Sequence, residues 1–104
     1  MRIAWTTQAR TDQVEIYETI AEDNPDAAER VFQQIEERVA MLKDNPRLGV
    51  RRPEIGSSVR MLVRGVYLIY YQIKPDVEGS EVELIEVVRV VHGSREMRRV
   101  FRSA

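Results

Sequence analysis

ELIEVVRVVHGSREMRRVF, residues 83–101, holds the reading that decides the fold. An apolar run from Leu84 to Val91 stops at His92-Gly93, and a basic segment with Arg95, Arg98, Arg99 and Arg102 follows. The middle of the run is apolar at consecutive positions rather than alternate ones, the pattern of a central strand covered on both faces. A strand over Val82–Val91 is expected, and Gly93-Ser94 allows a short helix from Arg95 to about Phe101. The single histidine of the chain therefore sits where a buried strand meets solvent, beside a cluster of cations.

Upstream, RMLVRGVYLIYYQI (residues 60–73) reads as two strands, Val59–Val63 and Val66–Ile73, joined tightly at Arg64-Gly65. Lys74–Ser80 is a polar turn before the last strand. In Asn45–Ser58, Pro46, Gly49, Pro53, Gly56 and a serine pair mark a loop, which carries Arg47, Arg51 and Arg52. Before that loop, Asn24-Pro25 opens a helix: Asn24 suits the N-cap, and the missing N–H of Pro25 costs nothing in the first turn. Its apolar positions Ala28, Val31, Phe32, Ile35, Val39 and Leu42 step by three and four, and Pro46 sets its end near Asp44. An earlier helix is capped by Thr6 or Thr7 and carries Ala9, Ile16, Tyr17, Ile20 and Ala21 on one face, with Val14 at the border. Gln13 interrupts this stripe and is expected at a rim. Arg2–Trp5 forms a first strand.

The resulting order, β-α-α-β-β-β plus a short C-terminal helix, is an α+β domain with a helical hairpin packed on an antiparallel sheet. Phe32, Ile35, Leu68, Ile69, Leu84, Val88 and Trp5 are the expected core. Tyr67 and Tyr71 share one face of their strand and Tyr70 takes the other, so the three form no stacking platform and read as packing residues.

At 104 residues the chain is one domain, residues 1–104. No apolar run is long enough to span a bilayer, and the N-terminus has no secretory pattern. Zero cysteines fit a reducing cytoplasm, and with one histidine they leave no zinc ligand set, so neither metal nor cofactor is expected. Net charge is −1, but its distribution is bipolar. Nine acidic residues against Arg30 lie between Asp12 and Glu37, six basic residues against Asp44 and Glu54 between Lys43 and Arg64, and five arginines against Glu96 between Arg89 and Arg102. Fourteen of sixteen cations are arginine, which suits bidentate contact with carboxylate or phosphate, so the basic clusters are expected to face an anionic partner. Glu36-Glu37 are helix neighbours that point apart and read as a solvated face.

The helical pair broken at Asn24-Pro25, the hairpin RMLVRGVYLIYYQI and the terminal His92-Gly93-Ser94-Arg95 together resemble the RelE/ParE toxin superfamily (plasmid stabilisation type), most closely its ParE branch. That resemblance implies the toxin of a type II toxin–antitoxin pair, acting in the cytoplasm. It would inhibit DNA gyrase by trapping its cleaved DNA complex, and direct binding of a cognate ParD-like antitoxin would neutralise it. Arg95, Arg98, Arg99 and Arg102 would then meet the target, and Ile16, Ile20, Val31 and Val39 the antitoxin, in a hetero-oligomer. An alternative implied by the RelE branch is a ribosome-dependent mRNA endoribonuclease with His92, Arg89 and Arg95 as catalytic residues, His92 as acid or base and the arginines on the phosphate. Against it, Val66–Ile73 carries no cation, Gln72 stands where one is expected, and no tyrosine follows His92. A third reading is a non-toxic member that serves mainly as the antitoxin's partner in transcriptional autoregulation. One fold hosts all of these, so the fold alone does not choose.

Overall fold

Capping residues set the helix starts. In the computed structural model, which describes residues 1–94, Thr6 caps α1 (Thr7–Ala21) by accepting from the Ala9 N–H at 3.0 Å. Asn24 caps α2 (Pro25–Ala40) in the same way through Ala27, with Pro25 in the first turn. A 3-10 turn, Met41–Lys43, carries α2 on to Asp44, where Pro46 prevents continuation. Among the described residues no helix is long and apolar enough to cross a membrane.

The strands are β1 (Arg2–Trp5), β2 (Val50–Arg51), β3 (Val59–Arg64), β4 (Tyr67–Lys74) and β5 (Leu84–His92), ordered β1-β5-β4-β3-β2. The expected β-α-α-β-β-β order holds, and β5 is central between β1 and β4. The sheet is mixed rather than wholly antiparallel, because β1 runs parallel to β5 with Arg2 beside Leu84 and Trp5 beside Val87. The segment read as loop contains one strand the sequence did not announce, β2, which pairs with β3 at Val50–Met61 and Arg51–Arg60. The expected helix over 95–101 lies outside the described residues.

Between the helices and the sheet lies the main core, with Ala9, Ile35, Val39, Leu42, Leu62, Ile69, Tyr71, Ile73, Ile85, Val87 and Val90. The opposite sheet face carries a smaller cluster, Val59, Leu68, Tyr70 and Val91, flanked by Ile55, Met61 and Val88. Of the expected core, Ile35, Leu68 and Ile69 are buried, whereas Trp5, Phe32, Leu84 and Val88 are half-buried. Leu84 and Val88 fall on the face away from the helices. Phe32 stands on the outer flank of α2, edge-on to Tyr17 at 6.1 Å. Trp5 lies on the edge strand with the Arg10 guanidinium 4.0 Å from its ring centre. Gln13, expected at a rim, is 2% exposed because Arg10 and Glu36 satisfy its amide at 2.9 and 3.0 Å. Glu36 keeps a 37% exposed side chain on the solvated face, where it also pairs with Arg10 at 2.6 Å.

Tyr71 holds β2 in place. Its hydroxyl accepts from the Gly49 N–H at 2.7 Å and donates to the Pro46 carbonyl at 2.9 Å. A Cβ on Gly49 would lie 2.6 Å from the Tyr71 ring and hydroxyl, so the close approach requires glycine. Arg60, 6% exposed, donates to the Gly49 carbonyl at 3.0 Å and to Asp76 at 3.1 Å. Arg51 reaches the same carboxylate at 3.1 Å, and Arg47 donates to the Val77 carbonyl at 2.8 Å. Much of the middle basic stretch therefore binds the 74–80 turn, not an outside anion.

Tyr71→Phe leaves the Gly49 N–H without its acceptor and is expected to cost about 1–3 kcal/mol, read from the urea midpoint. Burial pushes the Tyr71 phenol above its ordinary 10.0, with the Gly49 hydrogen bond opposing. The folded state thus favours the neutral phenol. Its contribution is complete below pH 10.0 and is lost as pH rises through the raised folded value, a loss that Tyr71→Phe removes.

Candidate functional site

The end of β5 is built around a register break. Tyr70 pairs with Arg89 and Tyr71 with Val87, so Val88 is an extra residue, a β-bulge. Ile85 and Val87 face the helices before it and Val90 after it, a change of parity that alternation alone would forbid. Asp12 of α1, 6% exposed, points into the bulge. Its carboxylate accepts from the Val90 N–H at 3.0 Å and from Arg89 at 2.8 and 3.1 Å. Gln8 donates to it at 3.0 Å, and Thr6 donates to the Val88 carbonyl at 3.1 Å.

His92 lies across from Tyr67, the two rings edge to face at 5.6 Å. Its Nδ1 accepts from the Ser94 N–H at 3.2 Å and lies 2.8 Å from the Ser94 hydroxyl. Burial raises the Tyr67 phenol above its ordinary 10.0, which places a neutral ring beside the imidazole. The sequence brings His92 and Arg89 to one strand, but the folded chain gives each a structural partner, Ser94 and Asp12. Arg95, Arg98, Arg99 and Arg102 lie outside the described residues.

Two grooves flank the helices. One, about 230 Å³, runs between α1 and α2 and is lined by Val14, Tyr17, Phe32 and Glu29. Val14 is 49% exposed, more open than the border position expected. Ile16 of α1 and Val31 of α2 are half-buried against the core, and Ile20 of α1 is half-buried. Val39 is corrected: at 2% exposure it belongs to the core under the sheet and offers no surface to a partner. The other groove, about 400 Å³, is lined by Gln34, Glu37, Arg38 and Met41 of the α2 end and by Val63 and Arg64 of β3.

Sequence reading missed Asp12. Its signal was present: a carboxylate three residues after Ala9 and four before Ile16, on the face of α1 that must be buried. A charge there requires a partner on the sheet.

The model of the ParE toxin of type II toxin–antitoxin system, parDE, matches residues 3–97. Y4kP of Sinorhizobium fredii, a protein whose name marks it as a candidate toxin, is 42% identical over 81 residues, which are 74% of this chain and 80% of its own length. Among solved structures, a chain of the chromosomal ParDE TA system from P. aeruginosa superposes with a TM-score of 0.67 at 26% identity, covering 88% of this chain and 95% of that one.

Asp12→Ala is expected to destabilise the fold by about 1–3 kcal/mol, because it leaves the buried Val90 N–H without its acceptor. Asp12→Asn, which keeps an acceptor for Val90, should cost less. Chemical denaturation of both variants measures the order.

Proposed function

The chain belongs to the ParE toxin family of type II toxin–antitoxin systems, and on that premise we propose that it inhibits DNA gyrase in the cytoplasm and is neutralised by an antitoxin bound across its helical hairpin. Two parts of the chain serve the two partners in this reading. The antitoxin takes the groove of Val14, Tyr17, Phe32 and Glu29, with Ile16, Ile20 and Val31 at its margin. An amphipathic segment fits it, apolar side chains entering between the helices and a cation meeting Glu29. The target takes the basic C-terminal segment, Arg95, Arg98, Arg99 and Arg102, whose charge attracts the phosphates of a gyrase–DNA complex.

The observation that carries the choice of a gyrase inhibitor over a ribonuclease is the engagement of the strand-end groups. RNA cleavage needs a proton-transfer group and a cation free to meet phosphate. His92 instead closes the Ser94 turn, and Arg89 is drawn to Asp12. Inhibition through a protein surface needs neither.

Deleting Glu96–Ala104, or changing Arg98 and Arg99 to Glu, is expected to abolish growth arrest and leave antitoxin affinity within about threefold, less than 1 kcal/mol. His92→Gln should reduce toxicity only modestly. Supercoiling by purified gyrase and in vitro translation, each with added toxin, separate the targets. Loss of activity in His92→Gln with cut ribosome-bound mRNA would establish the endoribonuclease instead.

A further inference from the structure

The sheet ends in a partly covered edge. β2 pairs with β3 only at Met61 and Arg60, and β3 continues beyond it through Leu62, Val63 and Arg64. The direction of the edge groups follows from their partners. The Val59 carbonyl accepts from the Arg52 N–H on the β2 side, and the Val59 N–H donates to Gly56. Residues at the same parity, Met61 and Val63, therefore turn their backbone groups away from β4. Leu62 and Arg64 turn theirs toward Ile69 and Tyr67.

At Val63 the outer carbonyl accepts from a side chain, Arg38 Nε at 3.3 Å, where a neighbouring strand would supply a backbone N–H. Beside it lies the groove of Gln34, Glu37, Arg38, Met41 and Arg64. Met41 is 50% exposed and Val63 49%, so apolar surface borders the edge on two sides. Exposed edges of this kind pair readily with other chains and are usually blunted, here by a guanidinium.

We propose that this edge is a strand-addition site for an extended, acidic segment of the antitoxin, which pairs with β3 at Val63 and places carboxylates against Arg38 and Arg64. The inference rests on the antitoxin reading above and adds to it a second contact on the other side of α2. Charge selects the occupant. Two guanidiniums face one carboxylate, Glu37, in the groove. The chain's own C-terminal segment is basic, and a second copy paired edge to edge would double the arginines. An acidic strand alone neutralises them. Arg38 acts as a placeholder: it caps the Val63 carbonyl in the free toxin and turns to a carboxylate when the backbone of the added strand takes over.

The probe is a ParD-type antitoxin that co-purifies with the full-length toxin when the two are co-expressed. Amide exchange resolved by NMR should show the Val63 N–H slowed at least tenfold in the complex, while Leu62 and Arg64, already paired with β4, change little. Val63→Pro removes the outer donor, and the pair Arg38→Glu with Arg64→Glu reverses the charge. Each should weaken the complex at least tenfold. If Val63→Pro does not fold, the charge pair, half-buried Arg38 and exposed Arg64, decides. A complex that forms with Val63 unprotected, and with the charge-reversed toxin bound as tightly as wild type, overturns strand addition and leaves the antitoxin reading intact. If no ParD-type antitoxin binds the wild-type toxin, both readings fall, and Val14→Asp, which touches only the interhelical groove, should disrupt binding without altering Val63 protection in the residual complex.

Discussion

One buried carboxylate fixes the relation of helices to sheet. A β-bulge breaks the ladder and leaves a backbone N–H without its regular acceptor, a group that is costly to bury unpaired. Asp12 supplies the acceptor from the far layer and is itself neutralised by Arg89. The side chain of Asp12 is 6% exposed and that of Arg89 42%, so the pair keeps one foot in water and avoids the full desolvation cost of a buried ion pair. Because β5 lies between β1 and β4, the position of α1 on this bulge sets where the sheet sits beneath the hairpin. The parity change at Val88 also puts Val90 on the helix face and Val91 on the other. Without the extra residue, everything beyond it would be presented to the wrong layer.

What the sequence made legible was local. Thr6, Asn24-Pro25 and Pro46 act within a turn of themselves, and the helix boundaries follow from them. Arg64-Gly65 closes its hairpin for the same reason: Gly65 adopts φ +59, and the strands on either side need no distant help. The features that escaped depend on residues far away in the chain. β2 exists because Tyr71 and Arg60 reach back to Gly49, about which Val50-Arg51 says nothing. Gln13 is buried because Glu36 and Arg10 meet it. Leu84 and Val88 miss the main core because strand parity is set by pairing, not by composition. At the candidate site the pattern holds again. Helical periodicity set Ile16, Ile20, Val31 and Val39 alike on the apolar faces of the hairpin, but it could not show that the first three stay half-buried while the sheet covers Val39.

The arginines divide by task. Arg47, Arg51 and Arg60 tie the 46–51 segment and the 74–80 turn to the sheet, and Arg89 belongs to the bulge. Arg10 lies against Trp5 and Glu36 where β1, α1 and α2 meet. Among the described residues, several cations of the basic stretches are therefore engaged by the chain itself. Counting cations along the chain overstates the charge available to a partner, and the same guanidinium geometry that suits phosphate also suits backbone carbonyls in tight turns.

The pairing of β1 with β5 has a consequence for how the protein is made. Arg2 finds its place only beside Leu84, Thr6 beside Val88 and Asp12 beside Arg89. On a ribosome, at about 5–20 residues per second, the helical hairpin emerges seconds before the strand that receives it. Its apolar stripes have no sheet to cover them during that interval, and the closing contacts span most of the chain. The nascent chain thus cannot complete its core until β5 has left the exit tunnel, and it matures as a unit. An interrupted or truncated message yields hairpins without a sheet, so synthesis itself withholds a folded toxin until the last strand is delivered.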